Sequence, residues 1–229
     1  ITEGDGVKLK DADGVWRYDA SAGLMLVNIG HGRREVVDAI AEQLATLHYA
    51  STFHYGTPQE IRFAQKLSTL TPGDLNRVYF VSGGSEAVEI ALKMARQYQY
   101  ITGNHTRTKI ISRRGQYHGS TPTAMSVGNR SRRTHGMFEP FSANALQVDP
   151  PYCYRCPWGF QDKSNQNCCM LSVKSLENII EGEGSETIAA FIATPIPSGN
   201  QIPAEEYWPR VRELCDKHGI LLIADEIIC

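Results

Sequence analysis

The feature that most constrains this chain is an apolar run without alternation, TIAAFIA at residues 187–193. A strand apolar on both faces must be covered on both faces, as happens in a parallel sheet flanked by helices. The neighbouring sequence supplies those helices. Residues 77–81, 108–112 and 220–224 read as further short apolar strands, and residues 146–149 as a weaker one. Between them lies a helix from Gly84 to about Tyr100, with Ala87, Ala91, Ala95 and Tyr98 on one face. A helical turn follows at residues 119–126, then helices from Leu171 to about Glu181 and from Glu206 to His218. The last is closed by Gly219 and accepts Pro209 only within its first turn. Strand and helix in regular alternation mean βαβ units and a mainly parallel sheet, an α/β architecture.

Upstream of that pattern, residues 7–18 read as a hairpin turning at Asp13-Gly14. A helix follows Gly32, because Val36, Val37, Ile40, Leu44 and Leu47 fall on one face. The next helix opens with a capping box, Thr57 and Glu60, has Pro58 at its first position, and ends by Pro72-Gly73.

In parallel sheets ligands bind at the carboxyl ends of the strands. That rule selects residues 82–85, residues 113–119 and the segment from Asp225 onward. In the first, Gly83 and Gly84 let a ligand approach the backbone, and the N–H groups opening the following helix attract an anion. Ser85 adds a hydroxyl donor. A phosphate suits this turn, although a plain glycine turn before a packed helix accounts for it equally, and neither phosphate-loop nor dinucleotide glycine pattern is present. In the second, Tyr117 and His118 stand between Gly115 and Gly119. A tyrosine there can lie flat on a planar ring. Taken alone, it is also an ordinary core or surface tyrosine, and His118 alone reads as structural. In the third, the acid Asp225 ends an apolar strand, which is costly unless something cationic meets it. A protonated pyridine nitrogen is one such partner, and a metal or a ribose contact is the competitor. Holding that nitrogen protonated makes the ring an electron sink, which pyridoxal phosphate requires, and phosphate cradle, stacking aromatic and ring-nitrogen acid together form a set.

Charge adds exclusions. Lys and Arg number 23 against 25 Asp and Glu, a net charge of −2, which argues against nucleic acid or a membrane surface as partner. No apolar run approaches the ~20 residues of a membrane span, and the opening has no signal-peptide pattern, so the expected location is the cytoplasm or an organelle matrix. Cys153, Cys156, Cys168 and Cys169 fit a zinc ribbon poorly and read as reduced thiols of a surface excursion, with a metal or disulfide staple as the alternative. No metal site is expected. The chain opens on Ile1 and stops just after an apolar strand, which reads as C-terminal truncation.

The strings FVSGGSEAVEIALKMARQY, GQYHGST and GILLIADEI resemble class III aminotransferases, the fold-type-I group that includes omega-amino-acid and 4-aminobutyrate transaminases. DGVWRYDASAGLMLVNIGHG is similar to their N-terminal segment, and the likeness runs in register over nearly all 229 residues. The resemblance implies the first part of a pyridoxal-phosphate-binding large domain at residues 51–229. It places part of the small domain and an active-site loop at residues 1–50. It implies that Gly84 and Ser85 hold the cofactor phosphate, that Tyr117 stacks on the ring beside His118, and that Asp225 binds the pyridine nitrogen. Ile227 would press on the opposite ring face, and Met25 would occupy a substrate-pocket position that is often aromatic in relatives. The implied substrates are an amine or omega-amino acid and an oxo-acid, and the implied assembly is a homodimer or a homotetramer.

Two departures stand out. Family members form a Schiff base through a lysine some tens of residues after the aspartate, whereas only Glu226, Ile227, Ile228 and Cys229 follow Asp225. No other lysine matches the family position, so the 229 residues alone are expected to be inactive. Relatives also commonly carry glutamate where Thr194 precedes Pro195, which leaves the acceptor and the handling of a substrate carboxylate open. Decarboxylation, racemisation, intramolecular amino transfer and a non-catalytic protein of the same fold are the competing outcomes.

Overall fold

The structure is a computed structural model. It describes residues 1–128, 136–138, 144–152, 154, 156–159, 167–199 and 201–229, with 167–169 by backbone alone. Its internal contacts divide the chain into two units, Ile1–Tyr79 and Phe80–Cys229.

The first unit opens with an antiparallel meander of β1 (Glu3–Asp5), β2 (Lys8–Lys10) and β3 (Trp16–Tyr18). The hairpin expected between β2 and β3 is present. Gly14 adopts φ +81° at its turn and donates its N–H to Asp11 O at 3.1 Å. Strand β1 was not legible in the pattern. Helices α1 (Arg34–Thr46) and α2 (Pro58–Ser68) follow. The capping box of α2 forms as expected: Glu60 N donates to Thr57 Oγ1 at 3.2 Å, and Thr57 N donates to the Glu60 carboxylate at 3.5 Å. None of residues 1–79 is buried, and the apolar face of α1, including Ile40 and Leu44, is exposed.

The second unit is built on a parallel sheet. In chain order it contains α3 (Gly84–Ile101), β4 (Lys109–Arg113), α4 (Pro122–Val127), β5 (Ala145–Val148), α5 (Asn167–Glu183), β6 (Ile188–Ala193), α6 (Tyr207–His218) and β7 (Leu221–Ala224). The strand order is β5-β4-β6-β7, every neighbour parallel. All six residues of β6 are buried. Phe191 and Ala193 join a core with Leu176 and Ile180 of α5 and Val211 and Leu214 of α6. Ala190 and Ile192 join a second core with Val88 and Leu92 of α3 and Ala124 and Val127 of α4. Helices on both sides of one strand are the reason its sequence does not alternate. Gly219 ends α6 at φ +65°, as its position after the helical pattern predicts. On the buried face of α6, burial pushes the Cys215 thiol up to about 12.

One expected strand is missing. Residues 77–81 are irregular and belong to neither described sheet, and an apolar run becomes a strand only within a ladder. Among the described residues no helix is long and apolar enough to cross a membrane, and no cluster of three or more His, Cys, Asp or Glu is placed to hold a metal. Of the cysteine cluster, Cys153 lies outside the described residues and Cys168 and Cys169 are described by backbone alone.

Candidate active site

The three loops chosen from the sequence lie at the carboxyl ends of strands or at the opening of α3, all within the second unit. Gly83 is the extended N-cap of α3, and Ser82 N donates to Glu86 Oε2 at 2.9 Å. The amides of the first helical turn have no intrahelical acceptor. A Cβ built on Gly83 or Gly84 would meet nothing within 4 Å, so the space beside this backbone is open to a guest.

Ser85 ties that turn to the second loop. Its Oγ accepts from Ser120 N at 2.9 Å, which leaves its own proton available to donate. The approach is close: a Cβ on Gly119 would lie 2.7 Å from Ser85 Oγ and 3.0 Å from Ser85 Cα, at a φ of +139°. Only glycine fits both the space and the backbone angle. Tyr117 is 56 % exposed, with its hydroxyl 2.9 Å from Ser120 Oγ.

The third loop is joined to the second through His118. Its side chain is fully buried, and its Nδ1 stands 2.7 Å from Asp225 Oδ2. A neutral ring makes this bond with its proton on Nδ1, which then donates to the carboxylate. Nε2 is buried with no hydrogen-bond partner. Asp225 continues the β6–β7 ladder by donating its N–H to Ala193 O at 3.0 Å. Its side chain is 13 % exposed, so the acid at the strand end is mostly but not wholly covered. Ile227 is 67 % exposed, with its N–H 3.4 Å from Asp225 Oδ1.

The middle loop therefore touches both others, Ser120 contacting Ser85 and His118 contacting Asp225. Two residues of backbone span at most about 7 Å. The helix opening at Ser85 and the acid Asp225 are thus both tied to one short stretch of backbone.

The chain belongs to the class III aminotransferase family. The family profile, Aminotransferase class-III, matches residues 1–229. A probable aminotransferase of Mycobacterium tuberculosis is 40% identical over 231 residues, covering 100% of this chain and 49% of that protein. A beta-alanine–pyruvate aminotransferase of Pseudomonas aeruginosa is 35% identical, covering 100% and 50%. An amine transaminase from an uncultivated Pseudomonas species, solved in its PLP-bound form, superimposes with a TM-score of 0.92 at 41% identity, covering 100% of this chain and 52% of that one. This class III chain spans about half the length of the relatives it matches. The expected α/β fold and family are both upheld.

Met25 belongs to the first unit, at a turn where Ala22, Gly23, Leu24 and Met25 have φ of 49°, 60°, 65° and 65°. Each non-glycine residue there costs about 1–2 kcal/mol. Asp19 braces the turn: its carboxylate accepts from Ser21 N at 3.2 Å, Ser21 Oγ at 3.1 Å and Gly23 N at 2.7 Å, and His31 Nε2 lies 2.9 Å away. The His31 bond leads the interactions that hold the Asp19 carboxyl below its ordinary range.

Three residues behind the site were not singled out as a group by sequence. Gln116 Oε1 accepts from Thr194 N at 2.8 Å, and Arg113 lies against both residues. The signal was available: KIISR ends an apolar strand on a charge, as ILLIAD does.

Proposed function

We propose that this chain forms the pyridoxal-phosphate-binding part of a transaminase that moves an amino group between an amine or omega-amino acid and an oxo-acid. The observation that carries the reading is the pair of bonds, Ser85–Ser120 and His118–Asp225, that gathers the opening of α3 and two strand-end loops into one site. The relatives support the reaction class, since one acts on beta-alanine and pyruvate and another is an amine transaminase with the cofactor bound.

The residues suit the cofactor's three parts. Gly84, with its open flank, and the Ser85 hydroxyl offer donors to a phosphate at a helix N-terminus. The exposed Tyr117 and Ile227 offer apolar faces to a flat ring. Asp225 offers a carboxylate to the ring nitrogen. Bound pyridoxal phosphate supplies an electron sink for breaking bonds at the carbon next to the substrate nitrogen. Asp225 holds a proton at the ring nitrogen, which deepens that sink. His118 takes Oδ2 of the carboxylate, fixing its rotation so that one oxygen remains for the cofactor. By the family resemblance Met25 is a substrate-pocket residue, and Thr194 supplies no carboxylate at a position where relatives commonly carry glutamate.

Turnover is assigned to a protein of the relatives' length, of which this chain spans about half. In that protein residues 1–50 belong to the small domain and active-site loop, and residues 51–229 open the large domain. The proposed assembly is a homodimer or homotetramer located in the cytoplasm or an organelle matrix.

The test uses the full-length protein with pyridoxal phosphate, a beta-alanine or small-amine donor and pyruvate. A visible absorption band of bound cofactor should bleach with donor and return with pyruvate, and alanine should accumulate. Asp225→Asn should keep the fold and lose turnover by about 100-fold or more, the scale of removing one preorganised electrostatic group. Unchanged turnover in that variant refutes the assignment. Ser85→Ala should weaken cofactor retention by about 1–3 kcal/mol, and wild-type retention would remove Ser85 from the phosphate cradle.

A further inference from the structure

Arg113 is a charged side chain in an apolar place. It ends β4 at 1 % exposure, between the core and the site. Its guanidinium carbon lies 5.8 Å from the Tyr207 ring centroid and 5.2 Å from that of Trp208. Its Nη2 donates to two neutral acceptors, the Thr194 carbonyl and, at 3.5 Å, Gln116 Oε1. Its Nε is buried without a partner. The two rings offset part of the cost of burying this cation, and its hydrogen bonds fall on residues that adjoin the site.

The acceptors show what it holds. Thr194 is gripped at both ends of its backbone, its carbonyl by Arg113 and its amide by Gln116 Oε1 at 2.8 Å. Ala193, the residue before it, accepts the Asp225 amide at 3.0 Å. Gln116 precedes Tyr117, and His118 after that grips the Asp225 carboxylate at 2.7 Å. Asp225 is thus located twice, by backbone through Ala193 and by side chain through His118. Both routes start beside the same three residues.

We propose that Arg113 and Gln116 are positioning residues, a clamp on Thr194 that sets where Asp225, Tyr117 and His118 stand. The clamp governs affinity for the cofactor's ring and not for its phosphate. This inference rests on the cofactor reading above.

The test measures dissociation constants of the full-length protein for pyridoxamine 5'-phosphate, which carries ring and phosphate but forms no covalent bond to lysine, and for inorganic phosphate as its competitor. Gln116→Ala should weaken the ring-bearing ligand about tenfold and leave inorganic phosphate within about twofold. Gln116→Glu keeps an acceptor for both Arg113 and the Thr194 amide, and should restore binding to within about threefold of the unaltered protein. Arg113→Lys keeps the charge without the fork and should follow the alanine variant. A folded lysine variant that binds like the unaltered protein removes Arg113 from the clamp, and the Gln116 pair decides the matter if that variant does not fold. The proposal is overturned if Gln116→Ala binds both ligands normally, if it loses both alike, or if glutamate fails to rescue. Should the unaltered protein bind neither ligand, the cofactor reading falls and the clamp with it. Normal binding by the unaltered protein, with Gln116→Ala departing from the expected selective loss or glutamate failing to rescue it, sinks the clamp alone.

Discussion

Helix α1 of the first unit and helix α6 of the second carry the same kind of apolar stripe, yet they end in different states. Val211 and Leu214 of α6 are buried against β6 and α5, whereas Ile40 and Leu44 of α1 are exposed. The whole segment Ile1–Tyr79 contains no buried residue, while Phe80–Cys229 contains two cores. Periodicity reports which face of a helix would gain from burial, and burial itself depends on something being there to cover it. Secondary structure in the first unit stands on local signals, such as the cap of α2. In the second it stands on long-range packing as well.

The largest expected effect tests that contrast directly. Phe191→Ala empties a fully buried site between α5 and α6 and should cost about 3–5 kcal/mol in chemical denaturation. Ile40→Ala, on the exposed face of α1, should stay within about 0.5 kcal/mol. If Ile40→Ala proves as costly as the core change, the α1 face is covered in solution and the contrast between the two units breaks.

What could be read in advance divides along the same line. The strands β4, β6 and β7 and their helices were legible because each carries its own pattern and each finds a neighbour. Residues 77–81 carry a similar pattern and form no strand, since pairing is a property of two segments and a pattern belongs to one. The site was legible in its glycines, in Tyr117 and in Asp225, whose types announce their chemistry. It was not legible in Gln116, nor in its link to Thr194, a hydrogen bond between residues 78 positions apart, although Thr194 stood out as a departure from the relatives. His118 fell between: its type suggested a structural role, and its bond to Asp225 gives that role a place in the site.

A smaller effect sharpens the comparison through helix ends. In the second unit the start of α4 is capped from a distance: Glu89 Oε1, on α3, accepts from Thr123 N at 3.2 Å and Ala124 N at 3.4 Å. Partial burial pushes the Glu89 carboxyl up, but the donors beside it, among them the Thr123 and Ala124 amides, outweigh this and hold its pKa below the ordinary 4.5. A lowered pKa in the folded state means that the ionised cap stabilises above pH 4.5 and that this contribution disappears as pH falls through the folded value. Glu89→Gln should therefore cost about 1–2 kcal/mol near neutrality and narrow toward no difference in acid. Parallel acid limbs for the two proteins would show that the charge does not stabilise this junction.

The smallest effect is expected at the one cap that the sequence spelled out in full. Thr57 and Glu60 satisfy each other's amides within three residues, so α2 needs no other element to begin where it does. Thr57→Ala removes the acceptor for Glu60 N and should destabilise the helix start by about 1 kcal/mol. Because that bond is local, the loss should be confined: amide exchange should quicken in the first turn of α2 and stay unchanged in β6 and α6. Exchange that quickens equally throughout Phe80–Cys229 would mean that the two units unfold as one, and that the exposed first unit shares the stability of the cores beyond it.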